Sequence, residues 1–361
     1  MSRRMLFTVL AVLLMVSLFV VPAGAQSGNP VQAAAEKYFT AGAKTIKAAD
    51  LFANLNDGDD SNNPLIVDLR AAEDYANGHI PGSVNIGAAK LMTAEELAKL
   101  PKDKPIVTAC YSGQNSAQVT AALRLMGYDA YSLTYGVPSW GVNDKVKYAF
   151  AASQSGNYPV TKDAAQLEGN NAAPKPLGDT VDAAAVAYFV GGVKMIKAAD
   201  VFANINDGDD SNNPVLVDVR SADDYALGHV AGAANVAPKS LFTAETLAKL
   251  PTDKQVVVYC YTGQTSGQVV AALRMLGYDA ASMTYGLPSW AVVEGVSVPV
   301  WDNSKSGNYT LEGAPVAAAA AAPAPAAAAA PATMPTTGAS LVSLLLAGLG
   351  LAGAGLALRR R

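Results

Sequence analysis

Val256-Val257-Val258-Tyr259-Cys260-Tyr261-Thr262-Gly263-Gln264-Thr265-Ser266-Gly267-Gln268 is the stretch on which the reading of this chain turns. Its first four residues are apolar and mostly β-branched, as a strand buried on both faces requires, and a small polar loop then leads into an alanine- and leucine-rich helix through Arg274. Pro105-Ile106-Val107-Thr108-Ala109-Cys110-Tyr111-Ser112-Gly113-Gln114-Asn115-Ser116-Ala117-Gln118 repeats the pattern, with its helix running through Arg124. Each cysteine therefore stands at the carboxyl end of a strand and faces a helix amino terminus, where open α/β sheets present their ligand sites. Unpaired amides and the positive end of the helix dipole favour an anion at such a place. These are the only 2 cysteines in 361 residues.

Working outward, the whole chain repeats at the spacing of the cysteines. Ile46 to Asp50 returns at Ile196 to Asp200, and Asn56 to Pro64 returns unchanged at Asn206 to Pro214. Asp68 maps to Asp218, His79 to His229 and Trp140 to Trp290. The period matches a whole domain rather than a solenoid turn. Two similar domains follow, at 35–150 and 185–302. The connector at 151–184 is rich in Gly, Asn, Pro and Ala between Ser153 and Val181. Within the first copy the pattern predicts helices over Ala48–Leu55, Ala72–Ala76, Thr93–Leu100 and Asn115–Met126, and a short helix opened by Pro138. Strands are predicted over Leu65–Leu69 and Ser83–Ile86, before Cys110, and over Ala130–Thr134. Such alternation predicts an α/β fold, a mainly parallel sheet covered by helices on both faces.

The ends have a different character. Residues 1–25 read as a signal peptide: Arg3 and Arg4, an apolar core from Met5 to Val21, then Ala23-Gly24-Ala25 as a cleavage site. A retained membrane anchor is the plainer reading, and Ser2-Arg3-Arg4 also touches a twin-arginine leader. Residues 303–333 read as an Ala/Pro-rich spacer, and 334–361 combine Met334-Pro335-Thr336-Thr337-Gly338, an apolar run and three arginines. That end resembles a bacterial cell-wall sorting signal of the LPxTG type, with Met334 in place of leucine. The resemblance implies a sortase as partner, cutting between Thr337 and Gly338. The alternative is a membrane anchor, since the run is long enough to span a bilayer. Either places the protein outside the cell, tethered to its surface. A net charge of −4, with no basic cluster outside the termini, gives no support for nucleic-acid binding.

Two thiols at one point of two repeats point to chemistry, although a lone buried cysteine is ordinarily structural. A disulfide between them requires the equivalent loops to face one another, and separate compact domains ordinarily present them on different surfaces. The only 2 histidines, His79 and His229, fall one per repeat. With one cysteine each they cannot close a zinc site, so a hydrogen-bonded, positional role is expected and no metal. Asp57 to Asn63 and its copy from Asp207 place oxygens as calcium loops do, but lack the glycine and glutamate such loops need. A solvated turn is the expected reading.

Taken together, the residues resemble the rhodanese family of sulfurtransferases across both repeats. The resemblance rests on Val67-Asp68-Leu69-Arg70 and Val217-Asp218-Val219-Arg220, on Gly78-His79-Ile80-Pro81-Gly82 and Gly228-His229-Val230-Ala231-Gly232, on the cysteine loops, and on the Gly136-x-Pro138-x-Trp140 and Gly286-x-Pro288-x-Trp290 closures. It implies tandem rhodanese-like domains in which Cys110 and Cys260 take sulfane sulfur from a donor anion such as thiosulfate. Each holds the sulfur as a transient persulfide, with no other cofactor, and passes it to a thiol or cyanide-like acceptor. It implies a cradle of Tyr111, Ser112, Gly113, Gln114, Asn115 and Ser116, matched by Tyr261, Thr262, Gly263, Gln264, Thr265 and Ser266. The chain departs from many members in carrying Asn115 and Thr265 where they have arginine, which removes a charge-assisted anion contact. Arg70 and Arg220 are the candidates to supply charge instead, unless each pairs with neighbouring acidic residues. Asp68 and Asp218 are expected to anchor loops by hydrogen bonds. A cysteine phosphatase is disfavoured, because Ser116 and Ser266 stand where its arginine clamp belongs. A surface-anchored, non-catalytic binding module and a thiol redox sensor are the alternative functions.

Overall fold

The parallel sheet expected from the sequence is present twice, in a computed structural model that describes residues 28–298 and 300–313. The expected leader, most of the Ala/Pro spacer and the sorting signal or anchor lie outside the described residues. In the first repeat the elements are α1 (Pro30–Thr40), β1 (Thr45–Ile46), α2 (Ala48–Leu55), β2 (Leu65–Asp68), α3 (Ala72–Ala76), β3 (Val84–Asn85), α4 (Ala88–Leu91), α5 (Ala94–Leu97), β4 (Ile106–Ala109), α6 (Gln114–Leu125), β5 (Ala130–Leu133) and α7 (Val137–Trp140). The second has α8 (Val181–Val190), β6 (Met195–Ile196), α9 (Ala198–Ile205), β7 (Val215–Asp218), α10 (Ala222–Leu227), β8 (Ala234–Asn235), α11 (Pro238–Leu241), α12 (Ala244–Leu247), β9 (Val256–Tyr259), α13 (Gln264–Met275), β10 (Ala280–Met283) and α14 (Leu287–Trp290). Strand orders are β1-β5-β4-β2-β3 and β6-β10-β9-β7-β8, with parallel pairing throughout. Every residue of β4 and β9 is buried, because each is the middle strand with helices on both sides.

Three local differences from the expected elements have physical causes. The helix expected over Thr93–Leu100 is present in shortened form as α5, and α4, which was not expected, stands just before it. The Thr93 hydroxyl accepts the Glu96 amide at 3.3 Å, which caps α5 and ends the preceding turn. The strand expected over Ser83–Ile86 shortens to β3, which pairs with β2 over two residues only. Ahead of the expected elements stands α1, opened by Asn29, whose side chain accepts the Val31 amide at 3.0 Å, with Pro30 in its first turn. Among the described residues no helix is long and apolar enough to cross a membrane.

The two repeats belong to one compact unit. Helices α6 and α13 show why: within α6 only Asn115 and Arg124 escape burial, far more than one sheet face can cover. The remaining face is covered by the other repeat. Apolar residues of α1, α6, α8 and α13, among them Phe39, Leu123, Phe189 and Leu273, form one shared core. Buried glutamines stitch the contact. Gln118 accepts the Lys194 amide at 3.1 Å and the Tyr188 hydroxyl, and Gln268 likewise accepts the Lys44 amide at 3.1 Å and the Tyr38 hydroxyl.

The repeats also exchange their tails. Ser155-Gly156-Asn157-Tyr158, within the expected connector, lies on the second domain. Tyr158 stacks on Phe202 at 4.1 Å and the Trp290 indole donates to the Pro159 carbonyl at 2.8 Å. Ser306-Gly307-Asn308-Tyr309 returns to the first domain, where Tyr309 stacks on Phe52 at 4.0 Å and the Trp140 indole donates to the Thr310 carbonyl at 2.8 Å. A repeated SGNY tetrapeptide is the signal for this exchange in the sequence.

Candidate active site

Each cysteine loop is built by the end of the middle strand and the first turn of the helix behind it. Cys110 follows β4, and the chain turns back at Gly113, whose φ of +83° suits glycine, so that α6 points its amides at the sulfur. The Gly113 amide donates to Cys110 Sγ at 3.2 Å and the Ser116 amide at 3.4 Å, with Ser116 Oγ at 3.5 Å. Cys260 is held likewise by the Ser266 amide at 3.4 Å and Ser266 Oγ at 3.5 Å. Ser132 and Ser282, not anticipated from the sequence, bond the Ser116 and Ser266 hydroxyls at 2.8 Å and fix their rotamers. From the other side Gly136 closes on the loop: a β-carbon there would sit 2.1 Å from the Cys110 carbonyl oxygen, which accepts the Val137 amide at 2.9 Å. Gly286 does the same for Cys260.

The other residues of the expected cradle divide. Ser112 and Thr262 accept from the Gln114 and Gln264 side-chain amides at 2.9 and 3.1 Å. Asn115 and Thr265 stand half-buried in the first helical turn, while the sulfur contacts come from the neighbouring positions. Tyr111 and Tyr261 turn away from the thiols. The Tyr111 hydroxyl donates to Asp74 at 2.6 Å and accepts the Ala71 amide, which ties the loop to α3. Tyr261 donates to Asp224 at 2.5 Å. Burial opposes the charge on Asp224, but hydrogen bonds from Ser297, Tyr261 and Ser221 outweigh it and hold the carboxyl well below the usual range.

Arg70 and Arg220 are committed to buried ion pairs. Arg70 Nη2 lies 2.6 Å from Asp68 Oδ2 and donates to the Gly78 carbonyl at 2.6 Å; Arg220 repeats this with Asp218 at 2.6 Å and the Gly228 carbonyl at 2.9 Å. They anchor the loop before each histidine and do not replace the missing loop arginine. The histidines are positional: His79 Nδ1 is 2.9 Å from the Tyr75 carbonyl with its ring stacked on Tyr75, and His229 bonds the Tyr225 and Asp163 carbonyls at 2.8 and 3.0 Å. In the Asp57 loop the carboxylates cap local amides in an exposed turn, Asp57 accepting from Asp59 and Asn62. Among the described residues no cluster of three or more His, Cys, Asp or Glu is placed to hold a metal ion.

Both cysteines are free and buried. The expectation that the equivalent loops lie on separate surfaces is corrected here, since packing α6 against α13 brings the two loops together. A β-carbon on Gly113 would meet Gln264 of the second domain at 2.5 Å, and one on Gly263 would meet Gln114 at 2.3 Å. An aromatic cluster of Tyr148, Phe150 and Trp301, with Tyr135 and Tyr285 against it, spans both sites. Tyr135 stacks on Trp301 at 5.1 Å and Tyr285 on Phe150 at 4.7 Å. Burial raises the Tyr148 phenol far above its ordinary value, aided by Tyr285, Tyr135, Cys110 and Cys260. No sequence motif marks this cluster, because its members come from connecting segments of both repeats.

The two sites differ at their outer edges. Beside Tyr261 is an apolar cavity of about 330 Å³ lined by Leu287, Pro288, Val293 and Val296. The matching space beside Tyr111 is about 20 Å³ and is bordered by Arg70, Lys145 and Lys147. Gly295 and Ser297 stand where the first domain has the two lysines.

The rhodanese-like domain family matches residues 48–143 and 198–292, a range that contains both strand–cysteine–helix units. The chain belongs to the rhodanese-like family. It is 39% identical over 85 residues to a probable adenylyltransferase/sulfurtransferase MoeZ of Mycobacterium tuberculosis, covering 23% of this chain and 21% of that protein. It is 36% identical over 77 residues to a thiosulfate sulfurtransferase GlpE of Pseudomonas savastanoi, covering 21% of this chain and 71% of that protein. A tRNA sulfurtransferase of Pyrobaculum aerophilum is 44% identical over 69 residues, 19% of this chain and 14% of that protein. The chain thus spans about a fifth of the first of these relatives and most of the second.

Proposed function

We propose that this rhodanese-like protein is a sulfurtransferase that carries sulfane sulfur on Cys110 and Cys260, with thiosulfate as donor and a thiol or cyanide-like nucleophile as acceptor. The observation that carries the reading is the hydrogen bonding of each sulfur by amides at the start of the helix behind the middle strand. In the first step the cysteine thiolate attacks the outer sulfur of thiosulfate, the S–S bond breaks, and sulfite leaves with its electron pair. The persulfide anion that remains faces the loop amides, which stabilise negative charge without a counter-ion. In the second step the acceptor attacks the terminal sulfur and the cysteine thiolate departs. Neighbours named as sulfurtransferases, one of them acting on thiosulfate, support this chemistry. With Asn115 and Thr265 in place of arginine, the donor is held by amides and hydroxyls, so weak donor binding is expected. We place the reaction outside the cell, on a protein exported by its amino-terminal segment and tethered by its carboxyl-terminal one, through sortase or directly in the membrane.

The test is incubation of the reduced protein with thiosulfate, followed by mass measurement of each cysteine peptide. Addition of one sulfur to either supports the reading; neither cysteine gaining sulfur at millimolar donor overturns it. Burial of both thiols favours a second reading, a non-catalytic surface module. Partner capture that survives the Cys110→Ser/Cys260→Ser double substitution distinguishes it.

A further inference from the structure

The sequence places Gln114 and Gln264 in the loops of their own cysteines, but the fold sends each side chain to the opposite site. Gln264 is 3% exposed, and its Oε1 accepts the backbone amide of Tyr135 in the first domain at 3.2 Å. Tyr135 has a φ of +63°, a left-handed conformation that tyrosine adopts only when its surroundings impose it. The two residues after it, Gly136 and Val137, are those that press on and bond the Cys110 carbonyl. The same Oε1 lies against Gly113, whose amide donates to Cys110 Sγ at 3.2 Å. Gln264 therefore touches both walls of the Cys110 site, while its Nε2 stays bonded to Thr262 in the Cys260 loop at 3.1 Å. Gln114 makes the mirror arrangement: it accepts the amide of Tyr285, φ +63°, at 2.7 Å, and Leu287 after it bonds the Cys260 carbonyl at 2.8 Å.

We propose that Gln264 and Gln114 are positioning residues that act across the domain interface, each holding the cysteine site of the other domain in its reactive geometry, so that the two sites are coupled. The inference deepens the sulfurtransferase reading and rests on it for the reaction, but the coupling itself is a property of the loops. Its physical basis is that a buried amide acceptor cannot be lost without leaving the Tyr135 or Tyr285 N–H unpaired. The loop then relaxes away from the strained turn.

The experiment uses the full chain with Cys260→Ser, so that Cys110 is the only thiol, and adds Gln264→Met or Gln264→Glu. Methionine keeps the volume and removes the acceptor; glutamate keeps an acceptor, and the Thr262 hydroxyl can rotate to donate to it. Two rates are read: iodoacetamide alkylation of Cys110 and sulfur uptake from thiosulfate. Gln264→Met is expected to speed alkylation threefold or more by uncovering the thiol and to slow sulfur uptake about tenfold, with Gln264→Glu restoring alkylation to within threefold of the parent. A change in alkylation under threefold in the methionine variant, or no restoration by glutamate, overturns the proposal. If the parent takes up no sulfur, the sulfurtransferase reading fails and alkylation still decides the coupling. Should the methionine variant not fold by circular dichroism, Gln114→Met in a Cys110→Ser chain, read on Cys260 by the same threshold, decides it.

Discussion

A cysteine loop of this kind works because a few backbone groups are in the right place, and Gly136 shows how narrow the tolerance is. Its φ is +68°, and a side chain there would collide with the carbonyl of the cysteine itself. Gly136→Ala should cost about 1–3 kcal/mol by overpacking, with left-handed strain in addition, and lower sulfur uptake at Cys110 well beyond the loss at Cys260, which it reaches only through the glutamine contacts. Urea denaturation and mass measurement of the two peptides check this; equal losses at both cysteines would refute it. At this scale the sequence was informative about identity and less so about role. The thiols, the first-turn serines and the glycines were visible as a repeated motif. The tyrosines after the cysteines read equally well as cradle residues, and only their bonds to Asp74 and Asp224 show that they hold the loop from outside. The arginines two residues after Asp68 and Asp218 were open between anion binding and ion pairing, and burial with a close carboxylate decides for pairing.

Among the elements, α1 carries a consequence the sequence did not reveal. It brings Tyr38 under α13, where the phenol bonds Gln268 and meets the Lys44 amide. Burial raises this phenol from 10.0 to about 12 against the opposing bond from Lys44. A raised folded value means that the stabilisation is complete below pH about 10 and is lost as the pH climbs through about 12. The total at stake is about 2–3 kcal/mol. Stability measured by urea at pH 9 and pH 12 should fall by about that amount more in the parent than in Tyr38→Phe. Equal slopes would show that Tyr38 ionises freely. The periodicity gave the existence of α6 and α13, both limits of α6 and the end of α13 to within a residue. It could not say what covers their outer faces, since an apolar helix surface fits a neighbouring domain as well as a loop.

At the scale of the whole molecule, the exchanged tails and the shared helical core make the two repeats one folding unit. Tyr309→Ala removes an aromatic ring stacked on Phe52 and packed by Trp140, for an expected loss of about 3 kcal/mol. Because that ring belongs to the chain after the second domain and packs on the first, denaturant unfolding should remain a single transition. Fluorescence and circular dichroism should coincide and shift together. Two separated transitions, with only one moved by the substitution, would show that the domains unfold independently.

By itself the sequence determined the duplicated α/β domain, the middle strand that ends in a thiol, and the family, because these rest on local periodicity and on motifs that every domain of the kind must carry. The opposition of the two cysteine loops, the aromatic cluster drawn from both repeats and the glutamines that reach across were decided only in the tertiary structure. They depend on which helix faces meet, and a pattern of buried residues fixes that a face is covered without fixing by what.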